Sequence, residues 1–287
     1  MINILKYNDV EIKVKNKGAE LFSVVVDGEE FIWNKKEIWS KSSPILFPFV
    51  GDLIDAKYKY MGRVYNFGTK HGFARDKNFE LLEKTNKKLS FILKSNFETR
   101  KIYPFDFELI LNYEILSKNS IKMEYIVKNI GNNNMYFSLG YHTAFILPNN
   151  YEDYYLELDK FSRIESLLLK NGFVSTTEKR LIKEYSNKII IIDEIFNGDA
   201  IILNGDITKR TQIIDKNSNR KITVIHDENF DYITYWRPKN SNFICIEPWY
   251  GISDFLESDQ NIETKKGIKI IKKNEIFNSS LIYKFEK

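Results

Sequence analysis

Between residues 107 and 128 apolar and polar side chains alternate with a period of two, interrupted once by a polar turn. Phe107, Leu109, Leu111, Tyr113 and Ile115 share one parity, while Glu108, Asn112 and Glu114 share the other. After the turn at 117–120 the pattern resumes, with Ile121, Met123, Tyr125 and Val127 set against Lys122, Glu124 and Lys128. A helix repeats every 3.6 residues, so this stretch predicts an antiparallel hairpin with one face in a core.

Other segments follow the same rule. Residues 21–26 and 31–33 flank Asp27-Gly28, a pair suited to the positive φ angles of a tight hairpin turn. Further strands are expected at 188–192, 200–203, 211–214, 221–226, 232–236, 243–247 and 281–285. Amphipathic helices are scarce, with room for a turn or two at 150–153 and 254–259. Residues 149–185 read as irregular, like an inserted excursion. Many short strands separated by Asn, Gly, Ser and Lys clusters point to an all-β sandwich or barrel. No linker rich in Pro, Gly or Ser divides the 287 residues, so one large β domain over 1–287 is expected.

Composition narrows the function classes. The 43 basic and 39 acidic residues are scattered, without the clustered base of a nucleic-acid footprint. The densest basic group is Lys265, Lys266, Lys269, Lys272 and Lys273, and it reads as the solvated face of a strand. With one cysteine, Cys245, no internal disulfide can form. No leader-like or membrane-length apolar run is visible, so a cytoplasmic protein with no membrane partner is expected. CxxC, HExxH and Walker-type glycine loops are missing, and the three histidines lie far apart in sequence. No metal or organic cofactor is expected. Cys245 sits among Ile244 and Ile246, where a buried inert thiol is the common case.

Four residues can carry chemistry. His71 lies in Lys70-His71-Gly72-Phe73-Ala74-Arg75, beside a permissive glycine and a guanidinium fork; it fits a ligand contact and a turn-capping histidine equally. His142 shares strand parity with Ser138 and Gly140, opposite Phe137, Leu139 and Tyr141. An apolar face would thus back a small polar face, with space above Gly140 for a ligand; a surface strand with an incidental His reads the same way. His226, followed by Asp227 and Glu228, looks like a strand-end residue. Glu247 ends an apolar strand, where a carboxylate is expensive to desolvate and must be paired, solvated or raised in pKa. A raised carboxylate suits a general base, with Trp249 and Tyr250 as an apolar platform for a sugar ring. The alternative is a strand-end Glu satisfied by backbone amides or Arg237.

Taken together, these motifs resemble the aldose 1-epimerase (galactose mutarotase) family, and in particular its bacterial LacX-like branch. The residues that carry the resemblance are Gly18-Ala19-Glu20-Leu21, Phe31-Ile32-Trp33, Ile45-Leu46-Phe47-Pro48, His71-Gly72-Phe73-Ala74-Arg75, Gly140-Tyr141-His142 and Cys245-Ile246-Glu247-Pro248-Trp249. They occur in family order along nearly the whole chain. The resemblance implies a large antiparallel β supersandwich with an open cleft, acting without a cofactor. It implies His142 as the general acid on the ring oxygen and Glu247 as the general base on the anomeric hydroxyl. His71 and Arg75 would bind sugar hydroxyls, as would Asp199, with Trp249 beside them.

Related sequences often carry a basic residue where this chain has Asp52, which would repel a phosphate and favours a free aldose. The resemblance therefore implies a mutarotase with a small sugar as its partner, working as a monomer or weak homodimer. A hexose-6-phosphate mutarotase and a non-catalytic carbohydrate-binding protein of the same fold are the alternatives.

Overall fold

A computed structural model describes residues 1–35, 37–226 and 229–287. Asp227 and Glu228, the acidic neighbours of His226, lie outside the described residues. The hairpin read from alternation forms as Phe107–Ser117 and Ser120–Asn129, with Tyr125 opposite Leu111 and Met123 opposite Tyr113. Its apolar parity is buried without exception, because each inward side chain meets others from the facing layer.

That hairpin belongs to a long antiparallel sheet. The sheet runs from Glu80–Lys84 at one edge through Lys88–Lys94, the hairpin, Ile276–Glu286, Lys221–His226, Arg210–Asp215, Tyr154–Lys170, Ile201–Asn204 and Tyr232–Trp236 to Phe243–Tyr250. Leu139–Gly140 and Thr143–Ile146 both pair with Phe243–Tyr250. A second sheet of four strands, starting at Ile2–Tyr7, packs into the same core. The ladders between these strands are antiparallel, parallel contacts being isolated bridges such as Phe47 with Gly72, and the fold is the all-β supersandwich expected.

Four expectations need correction. Residues 149–185 are not irregular: they hold Tyr154–Lys170 and most of Phe173–Ile190, joined at Asn171-Gly172 with both φ angles positive. Repeated register shifts between these strands scramble the parity that alternation relies on. The 21–33 hairpin closes only as far as Glu29–Glu30; beyond it Trp33 donates to Ala144 O at 2.9 Å, joining the cleft strands instead. Residues 254–259 form turns rather than helix. Among the described residues the α-helix that forms is Phe97–Ile102, set by a capping box between Asn96 and Thr99.

The 265–273 lysines are not one solvated face either. Lys265 is buried and bonds Asp254 at 2.6 Å, and Lys269 bonds Asp231 at 2.8 Å. No helix is long and apolar enough to cross a membrane among the described residues.

Candidate functional site

The cleft is built on Phe243–Tyr250, a strand of eight buried residues. Period two divides it. Ile244, Ile246 and Tyr250 enter the main core, while Cys245, Glu247 and Trp249 face the other way. The neighbouring strand matches this division, pairing Trp236 with Cys245, Thr234 with Glu247 and Tyr232 with Trp249. Tyr250 is therefore no part of a sugar platform; it stacks on Phe230 inside the core, with centroids 4.2 Å apart. Trp249 alone lies on the cleft side.

On the other flank, Leu139–Gly140 and Thr143–Ile146 pair with the same strand and are interrupted at Tyr141-His142. Tyr141 turns inward and stacks on Tyr125 at 4.0 Å. His142 turns into the cleft, as parity predicts, but the space above Gly140 is taken. A Cβ there would meet Trp249 Cδ1 at 2.7 Å and Leu46 Cδ1 at 3.0 Å. Gly140 thus seats the indole rather than a ligand.

This packing brings His142 Nε2 to 3.2 Å from Glu247 Oε2. His142 is 7% exposed and Glu247 1%. Arg237, the sequence candidate for satisfying Glu247, bonds Asp193 and Ser241 O instead. Glu247 Oε2 and His142 Nδ1 are buried without a hydrogen-bond partner. Burial pushes the Glu247 carboxyl well above its usual range, with Asp199 adding to the rise and Lys70 opposing it. Burial lowers His142 to about 3. The two shifts have opposite signs but one effect: each favours the uncharged form, neutral imidazole beside carboxylic acid, which a dry site tolerates. Trp39 stacks on the imidazole at 5.0 Å and Trp236 meets it edge-on at 5.8 Å.

His71 reaches the cleft through a backbone lock. Its N–H donates to Gly51 O at 2.9 Å and its Nδ1 accepts from Gly51 N at 3.0 Å. With Nδ1 accepting, the proton of the neutral ring sits on Nε2, which becomes a donor. Burial holds the imidazole well below its ordinary pKa, and His142, Lys70 and Arg75 add to this. His71 has φ +63°, and Gly72 after it must be glycine, since a Cβ would stand 2.1 Å from Phe47 O. The Phe47-Pro48 and His71-Gly72 motifs are thus two sides of one backbone contact.

Gly18 does the same for Arg75, whose carbonyl oxygen lies 2.6 Å from the position of a Cβ on Gly18. Arg75 donates from Nη2 to Lys70 O at 2.7 Å, while its buried Nε makes no hydrogen bond and stands 3.7 Å from Asp76 Oδ2. Asp199, with φ +71°, sits exposed on the cleft rim.

The cleft holds about 270 Å³, at the small end of ligand pockets, which typically span roughly 300–1,000 Å³. That suits a single ring-sized ligand. All six sequence candidates line it: His71, Arg75, His142, Asp199, Glu247 and Trp249. Trp39, Lys70, Trp236 and Ser253 line it as well. Parity on 232–236 and 243–250 was enough to find Trp236; nothing local marks Trp39. Asp52 pairs with Lys70 at 3.4 Å and receives no place in the lining. His226 ends its strand against Phe230, away from the cleft.

Solved structures of galactose mutarotase-like proteins share this all-β supersandwich. A galactose mutarotase related enzyme from Lactobacillus acidophilus superposes with a TM-score of 0.93 at 31% identity, covering 100% of this chain and 98% of that one. A galactose mutarotase-like protein from Lactobacillus casei gives 0.91 at 25% identity, covering 100% of both chains. The chromosomal protein LacX of Lactococcus lactis is 31% identical over 278 residues, 91% of each chain. The aldose 1-epimerase family profile matches residues 2–284, and the chain belongs to that family.

Proposed function

We propose that the protein is a mutarotase that interconverts the α and β anomers of a free aldose, with His142 as acid and Glu247 as base. The carrying observation is the buried pair at 3.2 Å, open to a ring-sized cleft and left with unsatisfied polar atoms.

The proton count supports this reading. Mutarotation takes a proton from the anomeric hydroxyl and gives one to the ring oxygen. Without sugar the shifts favour the pair's proton on Glu247; once it has passed across the 3.2 Å contact to His142, the imidazolium protonates the ring oxygen as Glu247 takes the hydroxyl proton. The ring opens and the proton now resides on Glu247. After rotation about C1–C2 the carboxyl returns its proton to the carbonyl oxygen, His142 recovers its own, and the ring closes on the other face. No proton is exchanged with solvent and no charge is created. The shifts that favour neutral imidazole beside carboxylic acid stabilise the state the pair passes through while the sugar is open. Each positioned group is worth roughly 10²–10⁴-fold, and confinement keeps the open chain ready to reclose.

His71 Nε2–H and Arg75 serve as hydroxyl donors, Asp199 as a hydroxyl acceptor and Trp249 as an apolar face for the sugar. A free sugar is favoured over a sugar phosphate because Lys70 is already paired with Asp52, and Asp199 adds an acidic group at the cleft rim. A purely sugar-binding role leaves a desolvated acid–base pair without a task. Exchange spectroscopy on a panel of free hexoses, pentoses and glucose 6-phosphate tests the proposal. Accelerated exchange of free sugars is the expected result; unaltered exchange across the panel overturns it, and preference for the phosphate redirects it.

A further inference from the structure

The three histidines are far apart in sequence, yet folding assembles a metal-ligand set that spacing did not reveal. Among the described residues, His142, Cys245 and Glu247 place one ligand atom each within 4.8 Å of one another, and all three are buried. Cys245 is two residues from Glu247 on the same strand, so its thiol shares the carboxylate's face. It is fully buried against Trp33 and Phe243, with Trp39 and Trp236 packed on that cluster.

We propose that His142 Nε2, Cys245 Sγ and the Glu247 carboxylate form a three-ligand site for a borderline or soft divalent cation, Zn²⁺ or Cd²⁺. The cation enters through the sugar cleft and silences the acid–base pair.

Donor chemistry fits. Imidazole, thiolate and carboxylate are all ligands of Zn²⁺, and three protein ligands with one open position is a recurring arrangement. Tetrahedral bonds of about 2.0–2.3 Å put ligand atoms about 3.3–3.8 Å apart. The imidazole and carboxylate stand at 3.2 Å already, and rotation about the Cys245 and Glu247 side-chain bonds draws sulfur in by roughly 1 Å. Glu247 Oε2 has no hydrogen bond to surrender, so a cation satisfies it directly.

Charge fits too. One proton leaves the thiol and one leaves the His142–Glu247 pair, both to solvent, so thiolate, carboxylate and dication sum to zero in a site that tolerates little net charge. The fourth position faces the cleft. Because the ligand atoms are the groups assigned to proton transfer, sugar turnover and metal binding exclude one another. The metal site itself stands on the three side chains; only its effect on turnover rests on the mutarotase reading.

The test titrates the chelator-treated full-length protein with Cd²⁺ and follows the Cd–thiolate charge-transfer absorption in the ultraviolet. The chain has a single cysteine, so the band reports Cys245 alone. A saturable band at one Cd²⁺ per chain, displaced by Zn²⁺, is expected. Calorimetry should show affinity weakened at least about tenfold in Cys245→Ser and in Glu247→Gln. Anomer exchange, scaled to each protein's own chelator-treated rate, should stop with Zn²⁺ in the parent protein and return with EDTA. Absence of the band at saturating Cd²⁺ in folded protein overturns the site. A band of unchanged affinity in both His142→Gln and Glu247→Gln also overturns it, since the thiol would then bind alone. A normal band with undiminished exchange overturns the silencing.

Discussion

Two buried pairs of ionisable side chains draw their carboxyl groups from one stretch of chain, at Glu247 and Asp254, and they are built to opposite ends. Lys265 Nζ meets Asp254 Oδ1 at 2.6 Å, and Asp254 Oδ2 accepts the Ile54 N–H at 2.9 Å. Both carboxylate oxygens are engaged, and the pair ties the 254–265 turns to the chain after Gly51. His142 and Glu247 are as deeply buried, yet they leave Glu247 Oε2 and His142 Nδ1 without a hydrogen bond. Unsatisfied buried polar groups cost about 1–3 kcal/mol each. A fold tolerates them where they meet a ligand rather than the protein. The satisfied pair is structural; the unsatisfied pair lines the cleft.

The sharpest way to break this contrast is to exchange each carboxylate for its amide. Glu247→Gln should lower anomer exchange by about 10²–10⁴-fold, read by exchange spectroscopy. Its stability should fall by no more than about 1 kcal/mol, since the amide keeps the shape of the carboxyl without a charge to bury. Full activity in that variant removes Glu247 as the base. Asp254→Asn should do the reverse. It strands a buried ammonium and should cost about 3–5 kcal/mol in urea unfolding, with the exchange rate per folded molecule close to that of the parent. Equal effects on stability in the two variants would erase the distinction.

Acid unfolding separates the partners next. His142 titrates lower folded than unfolded, so its contribution to stability is complete above about 6.5 and is lost as pH falls toward about 3. Glu247 titrates higher folded, so its contribution is complete below the usual carboxylate range and is lost as pH rises through its folded value. Denaturation curves across pH should therefore flatten on the acid side in His142→Gln and on the more alkaline side in Glu247→Gln. Identical pH slopes in both variants and the parent refute the opposed shifts.

Smaller effects are expected at the rim. His71→Ala should weaken sugar affinity about tenfold through the lost Nε2–H donor. Asp199→Asn, exposed and at the rim, should change it by less than about fivefold and leave the unfolding midpoint in place. Steady-state kinetics at varied sugar concentration distinguish the two.

Much of this was legible before folding. Alternation over 107–128 predicted its hairpin with the correct buried face, because a strand pleats with an integer period that any one-sided burial stamps on the sequence. The same rule sent His142 to the cleft and Tyr141 to the core. Applied to 243–250, it separates Cys245, Glu247 and Trp249 from Tyr250, so the platform drawn from adjacency alone failed there. The Tyr154–Ile190 hairpin hid itself because bulges reset its parity several times.

Sequence alone determined the all-β class, the parity of the main hairpin and, through its motifs, the family. Only the tertiary structure decided that Trp249 fills the space over Gly140, that Asp52 neutralises Lys70, and that Asp254 and Lys265 pair out of sight. It also brought Cys245 beside the acid–base pair. The physical reason is one of distance along the chain. Periodicity is a local imprint of burial, whereas the partner of a buried charge is set by strand register between segments about a hundred residues apart, as between His142 and Glu247.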